Sequence, residues 1–222
     1  MKKDITYDEL LAKIPNKYIL TIVCGERARE RAKERMERNG EPLPLTKYDK
    51  KDTEMKKVFK EISEKYEKVS GRKINMIDTY MVEDADTVII AIGSTAETIE
   101  EVVDRRRKNG EKVGVIHVRM FRPFPEEEII SALKNVKNIA VMDKVMDYSL
   151  NGGPLYKEII SAIYDMKEKD EEKDKLGDKN IIVSNYIYGI GGRDIGVDDI
   201  EGIFDDILDK SNNEKIRYVG LK

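Results

Sequence analysis

Cysteine and histidine are almost absent from this sequence: there is one of each, Cys24 and His117, in 222 residues. A single thiol excludes an internal disulfide and is far too few for a four-cysteine iron–sulfur or zinc centre within the chain. A single imidazole removes histidine-rich metal sites as well. No run of about 18 apolar residues, the length a helix needs to cross a bilayer, is present. The opening MKKDITYDEL carries no apolar signal core, so a cytoplasmic protein is expected. Charge of one sign is also lacking. The 41 basic and 44 acidic residues leave a net charge of −3, and no global field favours nucleic acid or acidic ligands. Charge itself is abundant, at 38% of residues, which suits a well-solvated surface. The length suffices for one or two domains with real cores.

Residues 1–68 read as a small all-α region. Thr6 followed by Glu9 is a capping box, and the helix it opens carries Tyr7, Leu10, Leu11 and Ile14 before stopping at Pro15. A second helix is expected from Asn16 to the stop signal Asn39-Gly40. Its first half is apolar all round and places Cys24 as a small hydrophobe. Its second half interleaves Arg27, Arg29, Arg31 and Arg35 with glutamates. That pattern fits a solvated face with i,i+4 ion pairs better than a nucleic-acid stripe. A third helix presents Met55, Val58, Phe59, Ile62, Tyr66 and Val69 at helical spacing and ends at Gly71. Three short helices cannot enclose much of a core, so the region is expected to dock on something larger.

Residues 69–222 read differently. Two apolar runs, Val88 to Ile92 and Val113 to Val118, flank one helix length. That is a β-α-β unit with buried parallel strands. Ile74 to Met81 forms an earlier strand, too close to the next for a parallel crossover, and is expected antiparallel or at an edge. Ser94 with Glu97 reads as a second capping box. Glu126, Glu127 and Glu128 lie in the first turn of a helix, and Pro154 begins another. Ile139 to Met142 and Ile181 to Tyr188 complete the strands, with a charged insertion, MKEKDEEKDKLGDKN, as a surface segment before the last of them. The expected fold is a three-layer α/β/α sandwich around a five-stranded, mostly parallel sheet with one antiparallel strand.

Ligands of open α/β sheets bind at the carboxyl ends of the strands. There lie Gly93-Ser94-Thr95, the loop with Arg119 and Arg122, Asn151-Gly152-Gly153, and Gly191-Gly192-Arg193. Helix N-terminal amides and arginines could hold a phosphate or carboxylate. Capping, turn chemistry and local ion pairs account for the same residues without a ligand. Phe121 and Phe124 suit either a partner anchor or the core, and His117 reads as a core histidine.

Two resemblances add to this reading. The stretch ITYDELLAKIPNKYILTIVCGERAR, with Asn16, Lys17, Tyr18, Arg27, Ala28 and Arg29, resembles the omega subunit of bacterial RNA polymerase over about residues 1–65. The stretch RERAKERMERNG departs from that family's shorter connection. The resemblance implies Tyr18, Arg27 and Arg29 as contacts to the largest polymerase subunit.

The second resemblance covers about 70–222. It rests on Gly71-Arg72, Tyr80, Glu83-Asp84-Ala85, Ile92-Gly93-Ser94-Thr95-Ala96, Lys112-Val113-Gly114 and RMFRPFP from Arg119. It continues with Asn151-Gly152-Gly153-Pro154-Leu155, Gly189-Ile190-Gly191-Gly192-Arg193-Asp194 and Tyr218-Val219-Gly220-Leu221. These resemble domain II of pyruvate:ferredoxin and related 2-oxoacid:ferredoxin oxidoreductases, which is akin to the C-terminal domain of transketolase. The resemblance implies a non-catalytic structural and interface domain, inactive alone. Thiamine diphosphate, iron–sulfur clusters and CoA would be held by partner chains or domains. The alternative it leaves is a polymerase-assembly subunit carrying a passenger α/β domain.

Overall fold

The computed structural model describes residues 53–147, 151–168, 181–209 and 214–220. The capping box at Thr6, the helices expected between 6 and 40, Cys24 and the charged insertion from 169 onward lie outside them. The elements in order are α1 (Thr53–Ser70), β1 (Ile77–Tyr80), β2 (Thr87–Ile92), α2 (Thr95–Lys108), β3 (Val113–Val118) and α3 (Glu126–Ala132). They continue with β4 (Asn138–Asp143), α4 (Pro154–Glu168), β5 (Ile182–Ile187), α5 (Val197–Leu208) and β6 (Ile216–Tyr218). Strand order across the sheet is β1-β3-β2-β4-β5-β6.

Strands β2 to β6 run parallel, and β1 lies antiparallel on β3 at the edge. The sequence predicts that antiparallel strand, and the short link to β2 explains it. The chain leaves β1 through Met81, a non-glycine residue at φ 53°. It backs onto β3 so closely that a Cβ on Gly114 would stand 2.6 Å from the Met81 carbonyl oxygen. Only a residue without a side chain fits there.

Alternate residues of each strand face opposite layers. One face sends Val88, Ile90, Ile116, Val118, Ile139 and Val141 against α3 and α4. The other sends Ile89, Ala91, Val115, Ala140, Met142 and Tyr186 against α2 and α5. Helices on both faces are why the central strands read as unbroken apolar runs. Ile89 and Ile90 are both fully buried, each worth roughly 2–3 kcal/mol relative to exposure. On the second face Arg106 of α2, 6% exposed, joins α5 to α2. It donates to Glu201 at 2.6 Å, Asp205 at 2.5 Å and Glu111 at 3.0 Å, with its guanidinium over the Phe204 ring.

Two expectations need correction. The sheet has six strands, not five, because Arg217 anchors the short β6. Its guanidinium donates to the Tyr186 hydroxyl at 2.5 Å and to Asp206 at 2.6 Å. The capping box at Ser94 does not form. Ser94 already has helical φ/ψ (−62°, −19°) and makes no side-chain cap, whereas a capping serine needs an extended backbone. The helix α1 groups with the sheet in the unit Thr53–Lys222. Its contacts give the reason: Ser63 Oγ donates to the Ile74 carbonyl, and Lys56 pairs with Glu128 at 3.5 Å.

Candidate functional site

The carboxyl ends of the parallel strands share one edge of the sheet, where the sequence motifs also lie. At the end of β4 sits Asp143, 4% exposed. Its Oδ1 accepts the Leu155 N–H at 2.9 Å, and its Oδ2 accepts the Tyr156 N–H at 3.1 Å. The carboxylate therefore caps α4 from a neighbouring strand, where the helix dipole favours negative charge. Asn185 of β5, fully buried, donates from Nδ2 to Asp143 Oδ2 at 2.9 Å and to the Val141 carbonyl at 3.0 Å. Its Oδ1 accepts the Gly153 N–H at 2.8 Å. Burial pushes the Asp143 carboxyl above its ordinary value, against the lowering pull of the Leu155, Tyr156 and Asn185 donors.

Gly152 and Gly153 belong to this cluster. A Cβ on Gly153 would lie 2.1 Å from Asp143 Cγ, so the glycine lets the helix start close over the carboxylate. Gly152 is at φ 108°, with the Tyr156 ring against it. Neither Asp143 nor Asn185 stood among the sequence candidates. The available signal was an acid closing the apolar run IAVMD nine residues before a Gly-Gly-Pro helix start.

The other candidates divide among separate partners. Gly93 turns the chain at φ 80°. Ser94 is exposed, and the Thr95 hydroxyl meets the Tyr188 hydroxyl at 2.9 Å. Arg119 pairs with Asp78 across the β1–β3 edge. Arg122 reaches Glu158 of α4 at 2.8 Å, and its guanidinium lies 4.1 Å over the Phe121 ring. Phe121 meets Phe124 edge to face at 6.2 Å, and Phe124 is core. Gly191 and Gly192, at φ 72° and 77°, shape a turn, and Arg193 donates to the Gly220 carbonyl. His117 is buried in β3, its pKa lowered by burial and by Arg119. Tyr18, Arg27 and Arg29 lie outside the described residues.

The strand-end arginines and the buried Asp143–Asn185 pair are thus engaged internally, in capping, turn closure and ion pairing. Among the described residues, no group of three or more His, Cys, Asp or Glu side chains is placed to hold a metal ion.

The profile of the family described as "Pyruvate:ferredoxin oxidoreductase core domain II" matches residues 85–200. The pyruvate synthase subunit PorA of Thermotoga maritima is 36% identical over 169 residues, covering 76% of this chain and 40% of that protein. The corresponding PorA of Methanocaldococcus jannaschii is 37% identical, covering 75% of this chain and 39% of that protein. The ketoisovalerate oxidoreductase subunit VorA of Pyrococcus horikoshii is 38% identical over 162 residues, covering 72% of this chain and 38% of that protein. The chain spans about two fifths of the length of these curated relatives. These matches lend no support to the omega-like reading of the amino-terminal region.

Proposed function

We propose that this chain, which belongs to the pyruvate:ferredoxin oxidoreductase core domain II family, serves as a structural and interface domain of a 2-oxoacid:ferredoxin oxidoreductase. Such an enzyme converts a 2-oxoacid to an acyl-CoA with ferredoxin as electron acceptor. The chemistry belongs to partner chains or domains that hold thiamine diphosphate, iron–sulfur clusters and CoA. This chain has a single cysteine to offer a cluster.

The observation that carries the proposal is the state of the strand-end motifs. The buried carboxylate Asp143 spends its oxygens on two helix amides and on Asn185. Arg119 and Arg122 are neutralised by Asp78 and Glu158. A catalytic or anion-binding site keeps such groups open toward the space its substrate enters; here they fix the ends of elements instead. Relatives named for pyruvate and for ketoisovalerate leave the side chain of the oxoacid open.

Co-expression of the tagged full chain with the thiamine- and cluster-bearing subunits of a 2-oxoacid oxidoreductase tests the role. The expected result is stoichiometric co-purification, with 2-oxoacid-dependent reduction of a viologen dye by the assembly and none by the chain alone. Decarboxylation of pyruvate by the purified chain unaided would overturn the proposal.

A further inference from the structure

The β1 edge of the sheet carries an inference that rests on the interface role just proposed and gives it a place. Antiparallel ladders alternate pairs that exchange main-chain hydrogen bonds with pairs that do not. The register sets Ile77 opposite Val118 and Thr79 opposite Ile116. One residue earlier, the Arg119 N–H donates to the Met76 carbonyl at 3.0 Å, so that position is a bonded pair. Asp78 and Tyr80 are then the next bonded positions. Ile77 and Thr79 direct their N–H and C=O groups away from β3, toward the edge where the sheet ends. Two donors and two acceptors thus stand in a row roughly 7 Å long, the repeat at which an added strand would pair.

A groove of about 700 Å³ lies against this same pair of residues. Its walls are Ile77, Thr79 and Val82 on one side and Ala132 with its neighbours on α3 on the other. Its charged lining is Glu83, Glu127, Glu128 and Lys134, so acid outnumbers base three to one; Glu128 is also paired with Lys56. Main-chain groups on the edge and a groove beside it are the parts of a strand-addition site, and the acidic rim adds a preference for a cation.

We propose that the β1 edge receives an extended segment of a partner polypeptide, added as a further strand, with a basic side chain among its apolar ones. Main-chain pairing to Ile77 and Thr79 supplies affinity. The groove reads alternate side chains, and Glu83 and Glu127 select a cation. A second copy of this chain fits less well. Pairing β1 with β1 across a two-fold axis would bring the same acidic rims together, and like charges across paired strands are unfavourable.

The test uses the full chain, labelled with nitrogen-15, and three synthetic peptides. The first is acetyl-Thr-Val-Thr-Lys-Thr-Val-Thr-amide. The second has glutamate in place of lysine, and the third is the lysine peptide N-methylated at alternate residues. The expected result is that the lysine peptide shifts the Ile77 and Thr79 amides. The glutamate peptide should bind roughly tenfold more weakly, as loss of a charge-complementary contact implies, and the N-methylated one not at all. Thr79→Pro removes one outward N–H at an edge position that tolerates proline and should abolish the shifts, while Thr79→Val should keep them. Equal binding of the lysine and glutamate peptides, retained binding on N-methylation, absence of binding, or self-association through this edge in sedimentation would each overturn the inference. A chain that co-purifies with cluster-bearing subunits yet ignores these peptides loses only this inference. A chain that takes the peptide but never joins such subunits loses the reading above.

Discussion

The two halves of this one sheet, each called an end below, treat polar groups in opposite ways. At β4–β5, Asp143 and Asn185 are 4% and 0% exposed, and both are satisfied by main chain or by each other. At β1–β3, Asp78 and Arg119 pair with side chains 33% and 47% exposed. Beside them α1 lays Val58, Ile62, Tyr66 and Val69 on the surface, at 47%, 59%, 42% and 90% exposure. A closed network specifies one arrangement of strands and helix, because a single missing partner leaves a buried group unsatisfied. An open end holds its shape through the apolar core beneath it and leaves its rim available. The first secures the fold through buried partners; the second carries its polar and apolar groups at the surface.

That contrast is breakable, and the largest effect is expected at Gly153. Gly153→Ala drives a methyl into the Asp143 carboxylate, and a loss of about 4 kcal/mol is expected in urea unfolding from overpacking plus the broken cap. Stability within about 0.5 kcal/mol of the parent would show that the clamp is loose.

Asp143→Ala comes next, at about 3 kcal/mol, since two helix amides and the Asn185 amide lose their acceptor. Asp143 also carries a pH signature. Its carboxyl is raised in the folded chain, so its contribution is fully present below the unfolded carboxylate range and is lost as pH rises through the folded pKa. The gap between parent and Asp143→Ala should therefore narrow as pH climbs out of the acid range.

At the open end the effects shrink. His117 is lowered by burial and by Arg119, opposed by Asp78 and Glu97. Its unfolded form binds the proton more readily, so stability should rise with pH from the lowered folded pKa up to about 6.5. His117→Phe should flatten that slope. As the only imidazole in the chain, its proton titration reads the shift directly. The smallest effect is expected at Val69→Ser, within about 0.5 kcal/mol, because nothing covers that side chain in the described residues. A larger loss would mean that α1 is buried in solution and the two ends are less different than drawn.

Sequence periodicity made the layers legible. The runs Val88–Ile92 and Val113–Val118 proclaim strands covered on both faces, and Glu126 to Glu128 mark a helix start that the structure contains. The polar contacts were less legible. Asp143 and Asn185 meet across 42 residues of sequence, and no local pattern reports a bond of that span. The Ser94 motif has the residues of a capping box but not the backbone for one. The apolar spacing of α1 is that of a core stripe, yet spacing reports amphipathicity and not what lies opposite. A strand as short as Ile216–Tyr218 carries too little pattern to be seen without the Tyr186 and Asp206 side chains that hold its arginine.

The span of the Asp143–Asn185 contact has a consequence for the order in which the chain folds. A chain extended only through α4 already has the carboxylate and the helix amides, but the amide that completes them arrives with β5. Closing so long a loop costs entropy that only the assembled sheet repays. The start of α4 is therefore fully secured only once β5 has joined the sheet, and a chain that ends before β5 lacks the latch.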